Sequence, residues 1–416
     1  MKRLTILILW VLSILVAIVW SFENPEKVEK LKDYFKKNKD VNIQKVEDDT
    51  QIFQANAFEV NVKKIINLEE KTSFLIYPET NSPFQEKQLK IFTQNGLLIE
   101  ELKQQKIQLP NYFTLQRNGG VKTIISLDNH LIALISAERN GCYFAALILI
   151  NNGRELFKTE CLPEEPKNND FNGLGSSNIH LNEYIYFTLG TPEKHVSKNS
   201  LLAQKDNSLF GKILRVKKND LLESINSNKE LKINIFSKGH RVPQGLTKIN
   251  ENIFNVEHGP KGGDELNKVV ENGNYGWPNV SYGTNYLKDN GGDGKSFPSN
   301  HELYDFKEPL FALVPSIGIS SINNCPKIIK DYYKKNCLMA LSLYGNNLRK
   351  GNSLIIFLLN NELTKVDSFE IIKLDDLILR HFVTNNHNEL YEDLNGDIYI
   401  SADKKGIYKI NFTNFR

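Results

Sequence analysis

One short unit recurs along the chain, a polar turn followed at once by an apolar strand. It reads SLDNHLIALIS, HLNEYIYFTLG, KINENIFNVEH, YYKKNCLMALSL and DLNGDIYISAD. Its markers Asn129, Asn182, Asn252, Asn336 and Asn395 stand 53, 70, 84 and 59 residues apart. That spacing exceeds the roughly 40 to 50 residues of a compact propeller repeat and implies blades with long insertions. Between the markers run short apolar alternations broken by Asn, Asp and Gly, the pattern of antiparallel strands joined by tight turns. Residues 42–120, with KTSFLIY and KQLKIFTQNGLLIEE, supply a further unit. The pattern therefore predicts an all-β chain over 42–416, a six-bladed β-propeller. A β-sandwich with similar turns is the alternative.

The N-terminus carries a different signal. Lys2 and Arg3 precede the uncharged stretch Leu4 to Phe22, with Trp10 and Trp20 toward its ends. As a helix it would be ~28 Å long, near the thickness of a bilayer's hydrocarbon core. Residues 1–22 are expected to be a membrane anchor, or a signal peptide cut after Val19-Trp20-Ser21. Either one exports the rest of the chain. Residues 23–41 alternate acidic and basic side chains around Val28, Leu31 and Phe35, as a solvated tether does. The expected location is periplasmic or otherwise extracytoplasmic, with the membrane as a partner through the N-terminal helix. Four cysteines fall into two local pairs, Cys142 with Cys161 and Cys325 with Cys337. They suit two short-loop disulfides in an oxidising compartment, with buried thiols as the alternative. A net charge of +3 without a basic, aromatic-rich stripe argues against nucleic acid as a partner.

The run EHGPKGGDELNKVVENGNYGWP, Glu257 to Pro278, holds Gly259, Gly262, Gly263, Gly273 and Gly276. Such density lets backbone approach a ligand or metal, and carbonyls beside Asp264, Glu265 and Tyr275 are the oxygen donors that Ca²⁺ prefers. A glycine-rich hairpin with solvated carboxylates explains the same residues. The stretch, continued by NVSYGTNY, resembles the signature of the PQQ-dependent soluble aldose and glucose dehydrogenases, the glucose/sorbosone dehydrogenase type. LLAQKDNSLFGKILRV from Leu201, GHRVPQGL from Gly239, EPLFALVPSIGISSI from Glu308 and LILRHF from Leu377 extend the similarity over roughly Asn172 to Ile410. The resemblance implies six four-stranded blades, PQQ over the axis, and a calcium ion bridging it to main-chain carbonyls. By that resemblance Gly259 and Pro260 match the carbonyl donors, Arg241 and Arg380 match cofactor-contacting arginines, and Glu265 and Tyr275 fall where relatives hold additional calcium.

Other positions depart from the pattern. The stretch that aligns with the family's catalytic histidine reads FNGLGSSNI, Phe171 to Ile179, and contains none. Val242, Tyr344 and Ile378 stand where relatives carry an asparagine, a basic residue and an arginine. A replacement base would come from Asp170, His180, His240 or His258. Of these Asp170 suits the position, His258 reads as structural, and His180 reads as surface-facing on an alternating strand. DLNGD, Asp393 to Asp397, looks superficially like a calcium loop but reads as a blade turn. The resemblance implies oxidation of an aldose sugar or related alcohol, with electrons passing to an acceptor in the membrane. The missing histidine favours an alternative, an inactive propeller that binds a sugar, glycan or protein at the same face.

Overall fold

The computed structural model describes residues 43–46, 50–78, 82–167, 170–175, 177–193, 196–227, 229–287, 292–343 and 352–416. The anchor, the tether and Tyr344 lie outside them. No helix among the described residues is long and apolar enough to cross a membrane. Three strands come first, β1 (Ile43–Lys45), β2 (Thr50–Gln54) and β3 (Glu59–Leu68). Blade 1 is β4 (Thr72–Ile76), β5 (Lys90–Thr93), β6 (Leu97–Glu100) and β7 (Lys103–Lys106), and blade 2 is β8 (Val121–Leu127), β9 (His130–Arg139), β10 (Cys142–Leu149) and β11 (Glu155–Lys158). Blade 3 is β12 (Asn178–Leu181), β13 (Tyr184–Leu189), β14 (Lys212–Lys217) and β15 (Asn234–Lys238), with α1 (Lys218–Ser227) before its last strand. Blade 4 is β16 (Val242–Ile249), β17 (Asn252–His258), β18 (Asp264–Val269) and β19 (Phe311–Leu313). Blade 5 is β20 (Ile319–Asn324), α2 (Lys327–Tyr333), β21 (Asn336–Ser342), β22 (Ser353–Leu359) and β23 (Val366–Lys373). Blade 6 takes β24 (Leu379–Phe382), β25 (Ile398–Ala402) and β26 (Gly406–Thr413), and its next strand is β3 from the other end of the sequence.

This is the expected six-bladed propeller of four-stranded antiparallel sheets. The first strands of the blades neighbour one another in a closed ring, β4, β8, β12, β16, β20, β24 and back to β4. A strand in that ring has no solvent-facing side, so β4 (TSFLI) and β8 (VKTIISL) are buried throughout. Outer strands such as β7 (KQQK) are largely exposed. His180 on β12 is consequently 3% exposed rather than surface-facing, because alternation along a ring strand separates two buried sides.

The apolar cores lie between adjacent blades, where two sheets pack face to face. One cluster joins Ile125, Leu147 and Leu149 to Phe187 and Leu214 across blades 2 and 3. Another joins Met339 and Ile356 to Ile398 and Ile410 across blades 5 and 6. Polar ring residues are satisfied across blades, as buried groups must be. Asn178 Nδ2 donates to the Ile124 carbonyl at 2.9 Å, and Asn323 Nδ2 donates to the Asn388 carbonyl at 3.1 Å.

Asn129, Asn182 and Asn395 lie in the connection from the first to the second strand of blades 2, 3 and 6, and Asn252 and Asn336 open the second strand of blades 4 and 5. Asp128, Asn182 and Asn250 adopt left-handed backbone there, with φ of 50°, 51° and 51°, a conformation Asn and Asp tolerate. Both disulfides form as paired, Cys142–Cys161 and Cys325–Cys337, with Cα separations of 5.3 and 5.4 Å. The DLNGD segment is a blade turn. Asp393 Oδ1 accepts the amides of Asn395 and Asp397, and its Oδ2 accepts the Tyr399 hydroxyl.

Candidate functional site

First strands of a propeller all run the same way along the axis, so their starts share one face. The antiparallel second strand returns to that face, and its loop to the third strand lies there too. By this rule one face collects Arg241 before β16, Lys122 near the start of β8, Arg380 near the start of β24 and the 170–175 segment before β12. It also collects Glu193 after β13, the Gly259–Gly263 loop and Asp403 between β25 and β26. The asparagine turns occupy the opposite face, where a cleft of about 550 Å³ opens beside Asn182, Lys248, Asn250 and Glu389. The motif residues are not in that cleft.

The separate signature stretches fold into one unit. Trp277 N donates to the Gly239 carbonyl, and the ring of Tyr275 stacks on His240 with centroids 4.6 Å apart. His240 lies 3.0 Å from Glu257 through Nδ1 and 2.8 Å from Ser237 through Nε2. Burial lowers the His240 pKa to about 3, so the imidazole is neutral. Lys261 and Thr284 exchange backbone hydrogen bonds, tying the glycine loop to the segment after Trp277. A Cβ on Gly259 would come within 2.1 Å of the Gly263 carbonyl oxygen, so the turn's own packing already demands glycine. In the upstream motif, Lys212 Nζ donates to the carbonyls of Leu202, Ala203 and Phe210, a structural clamp.

Arg241 is held at the centre of this unit. Its Nη1 donates to the carbonyls of Gly259 at 2.7 Å and His258 at 3.2 Å, and its guanidinium stands 5.2 Å from the Trp277 ring. Glu193, 5% exposed, is its acidic neighbour. Burial pushes that carboxyl up to about 8 against the pull of Arg241, with Asp170 adding a second negative charge nearby. Asp170 Oδ2 accepts the Lys167 amide at 2.7 Å. Arg380 forms a two-pronged ion pair with Asp403 through Nε and Nη2. His258 lies within electrostatic reach of Arg241, Arg380 and Asp264, and burial depresses its pKa first of all. Asp264 Oδ2 in turn accepts the amides of Ile317, Gly318 and Ile319.

The metal positions come out differently. Glu265 faces Glu257 directly across β17 and β18, and burial beside that second carboxyl raises its pKa well above the ordinary carboxylate range. The Tyr275 hydroxyl donates to the Lys268 carbonyl at 2.6 Å and accepts the Val270 amide, so it is engaged with backbone. Among the described residues no group of three or more His, Cys, Asp or Glu side chains is arranged to hold a metal. The Gly259 carbonyl lies under the Arg241 guanidinium, and a divalent cation there would sit against a fixed positive charge. The face suits a polycarboxylate, because it gathers Arg241, Arg380, Lys122 and Lys71, and the Lys122 ammonium is within electrostatic reach of both Arg380 and Lys71. Val242 is 5% exposed and buried at the start of β16, whereas Ile378 is 38% exposed just before β24.

Sequence reasoning did not find Lys122, Lys71 or Glu193. No motif surrounds them, and the first two lie in the part of the chain outside the family signature.

Fold and site together describe a six-bladed propeller with arginine and lysine gathered on one axial face. The Glucose / Sorbosone dehydrogenase family model matches residues 133–352, and the chain belongs to that family. It is 36% identical over 103 residues to quinoprotein glucose dehydrogenase B of Acinetobacter calcoaceticus, a stretch covering 24% of this chain and 22% of that relative. It is 34% identical over 110 residues to the aldose sugar dehydrogenase YliI of Escherichia coli, covering 25% of this chain and 28% of the relative. The matched stretches thus span less than a third of either relative. Among solved structures, the soluble aldose sugar dehydrogenase from Escherichia coli in its apo form shares the fold, with a TM-score of 0.64 over 85% of this chain and 99% of that one at 20% identity.

Proposed function

We propose that this chain is a quinoprotein sugar dehydrogenase, binding PQQ over the propeller axis and oxidising an aldose or related alcohol outside the cytoplasm. The observation that carries the reading is the convergence of Arg241 and Arg380 on one axial face of a chain in this family. When bound, PQQ supplies the two-electron acceptor for the hydride of the sugar carbon. The protein's share is electrostatic and positional. Arg241 is fixed by two carbonyls and by Trp277, so it presents its charge to a ligand without reorganising. Asp170, immediately before the stretch that aligns with the family's histidine, is the proton acceptor we assign for the sugar hydroxyl. Glu193, held protonated by burial, keeps a second full negative charge from competing beside it.

The two disulfides support a location in an oxidising compartment. The apolar N-terminal stretch supports tethering to the membrane, and a membrane electron acceptor follows from that placement. The non-catalytic reading, a propeller that binds a sugar, glycan or protein at this face, is favoured by the absence of histidine in Phe171 to Ile179.

The test is reconstitution of the full chain with PQQ, with and without calcium, followed by dye reduction across a panel of sugars. PQQ binding with sugar-dependent reduction is expected, and Asp170→Asn should lower kcat by about 10²- to 10⁴-fold while leaving PQQ affinity unchanged. PQQ binding without turnover on any sugar would leave the binder reading standing. No PQQ binding at all would sink the dehydrogenase reading.

A further inference from the structure

The axial face carries more positive charge than the family motifs account for. Lys122 is the second residue of the ring strand β8 and is 7% exposed. Its Nζ donates to the Asn118 carbonyl at 2.9 Å. The charged groups brought against it are both positive, Arg380 from β24 and Lys71 from the segment before β4. Gln116–Asn118 offers it a carbonyl, and from β12 Asn178 reaches Thr123 and the Ile124 carbonyl instead. Asp403, on the same face, is committed to Nε and Nη2 of Arg380, which leaves Nη1 outside that pair.

Burying an ammonium group is costly unless a counter-charge accompanies it. Here burial and two cations act together, and they pull the Lys122 pKa down to about 7. A ring strand ordinarily fills such a position with an apolar or hydrogen-bonding side chain, as Ser73 and Ser320 do at the corresponding places in β4 and β20. A buried lysine placed there, on the face that also carries Arg380 and Lys71, suits an anion whose charge would offset its own.

We infer that Lys122, Lys71 and Arg380 form a carboxylate-binding site on the axial face, separate from Arg241 and the glycine loop. The inference rests on the axial face being the ligand face, and it deepens the proposed function by naming the chemistry that this side of the pocket recognises. The carboxylate has two sources, a ring carboxylate of PQQ or the carboxylate of a sugar acid such as a hexuronate. In either case a positive cluster from blades 1, 2 and 6 replaces the basic side chains that the family pattern would put at Tyr344 and Ile378.

Binding measurements on the purified full chain test this, with PQQ, glucuronate and glucose as separate probes and Lys122→Met and Lys122→Arg as variants. Thermal melts accompany them, and Lys122→Met should fold with an unchanged or higher Tm because it removes a buried charge. If the carboxylate belongs to the cofactor, Lys122→Met weakens PQQ at least tenfold and Lys122→Arg restores most of it. If it belongs to the substrate, PQQ affinity is unchanged and the preference for glucuronate over glucose falls at least tenfold. Both results support the site. Lys122-dependent glucuronate binding by a chain that takes up no PQQ would support the site while removing the dehydrogenase reading. PQQ binding that Lys122→Met leaves unchanged, with no glucuronate preference to lose, overturns the site and leaves that reading intact. Binding of neither PQQ nor glucuronate overturns both.

Discussion

Glu193 is buried beside Arg241, and desolvation outweighs the guanidinium so that its pKa rises from 4.5 to about 8. The folded chain therefore holds a proton that the unfolded chain releases between those values. Stability from this group is complete below pH 4.5 and is lost as the pH rises through 8. Glu193→Gln keeps the neutral form at every pH, so it should leave Tm unchanged near pH 4 and raise it above the parent at pH 8 to 9 in thermal melts. Lys122 has the opposite sense. Its folded pKa of about 7 lies below the ordinary 10.5, so the folded chain binds fewer protons in that window and gains stability as the pH climbs through it. Arg241 and Gly259 were legible because they sit in a motif whose spacing survives. Glu193 and Lys122 were not, because each is a single ionisable residue whose meaning comes from burial. A lysine in VKTIISL reads as the wet member of an alternating strand, and only the closed ring makes it dry. The same misreading placed His180 outside.

The element that closes the ring is β3. It pairs with β26 in antiparallel register from Glu59 opposite Thr413 to Ile66 opposite Ile407, and Asn61 Nδ2 reaches Thr413 Oγ1 at 2.8 Å. Ile410, fully buried in the core shared by blades 5 and 6, is the apolar anchor on the C-terminal side. Ile410→Ala should cost about 2 to 5 kcal/mol in urea unfolding, since the strands cannot collapse into the space without breaking register. The disulfide between Cys325 and Cys337 acts at a comparable scale, clipping β20 to β21 across α2. Replacing both cysteines with alanine should cost about 3 kcal/mol. The blade repeat was visible in the sequence because a polar turn precedes the second strand of blade after blade, with left-handed backbone at Asp128, Asn182, Asn250, Lys334 and Gly396. The borrowing of β3 by blade 6 was not visible, since pairing between residues 352 apart leaves no local periodicity.

At the scale of the molecule, the glycine-rich signature marks a unit that positions Arg241, while the charge that would hold a ligand is distributed over blades 1, 2, 4 and 6. Family membership is therefore readable from the stretch 133–352, and ligand choice is not. The ring also has a kinetic side. Its clasp joins a strand near the start of the chain to the strand that ends the last blade, so contact order is high and loop-closure entropy must be met before the seam rewards it. Until Gly406–Thr413 emerges, Glu59–Leu68 has no partner on that edge, and five blades can stack without a closed channel. In a chain built this way the ring closes only once its last strand is in place, so the C-terminal residues carry the closing step for the whole propeller.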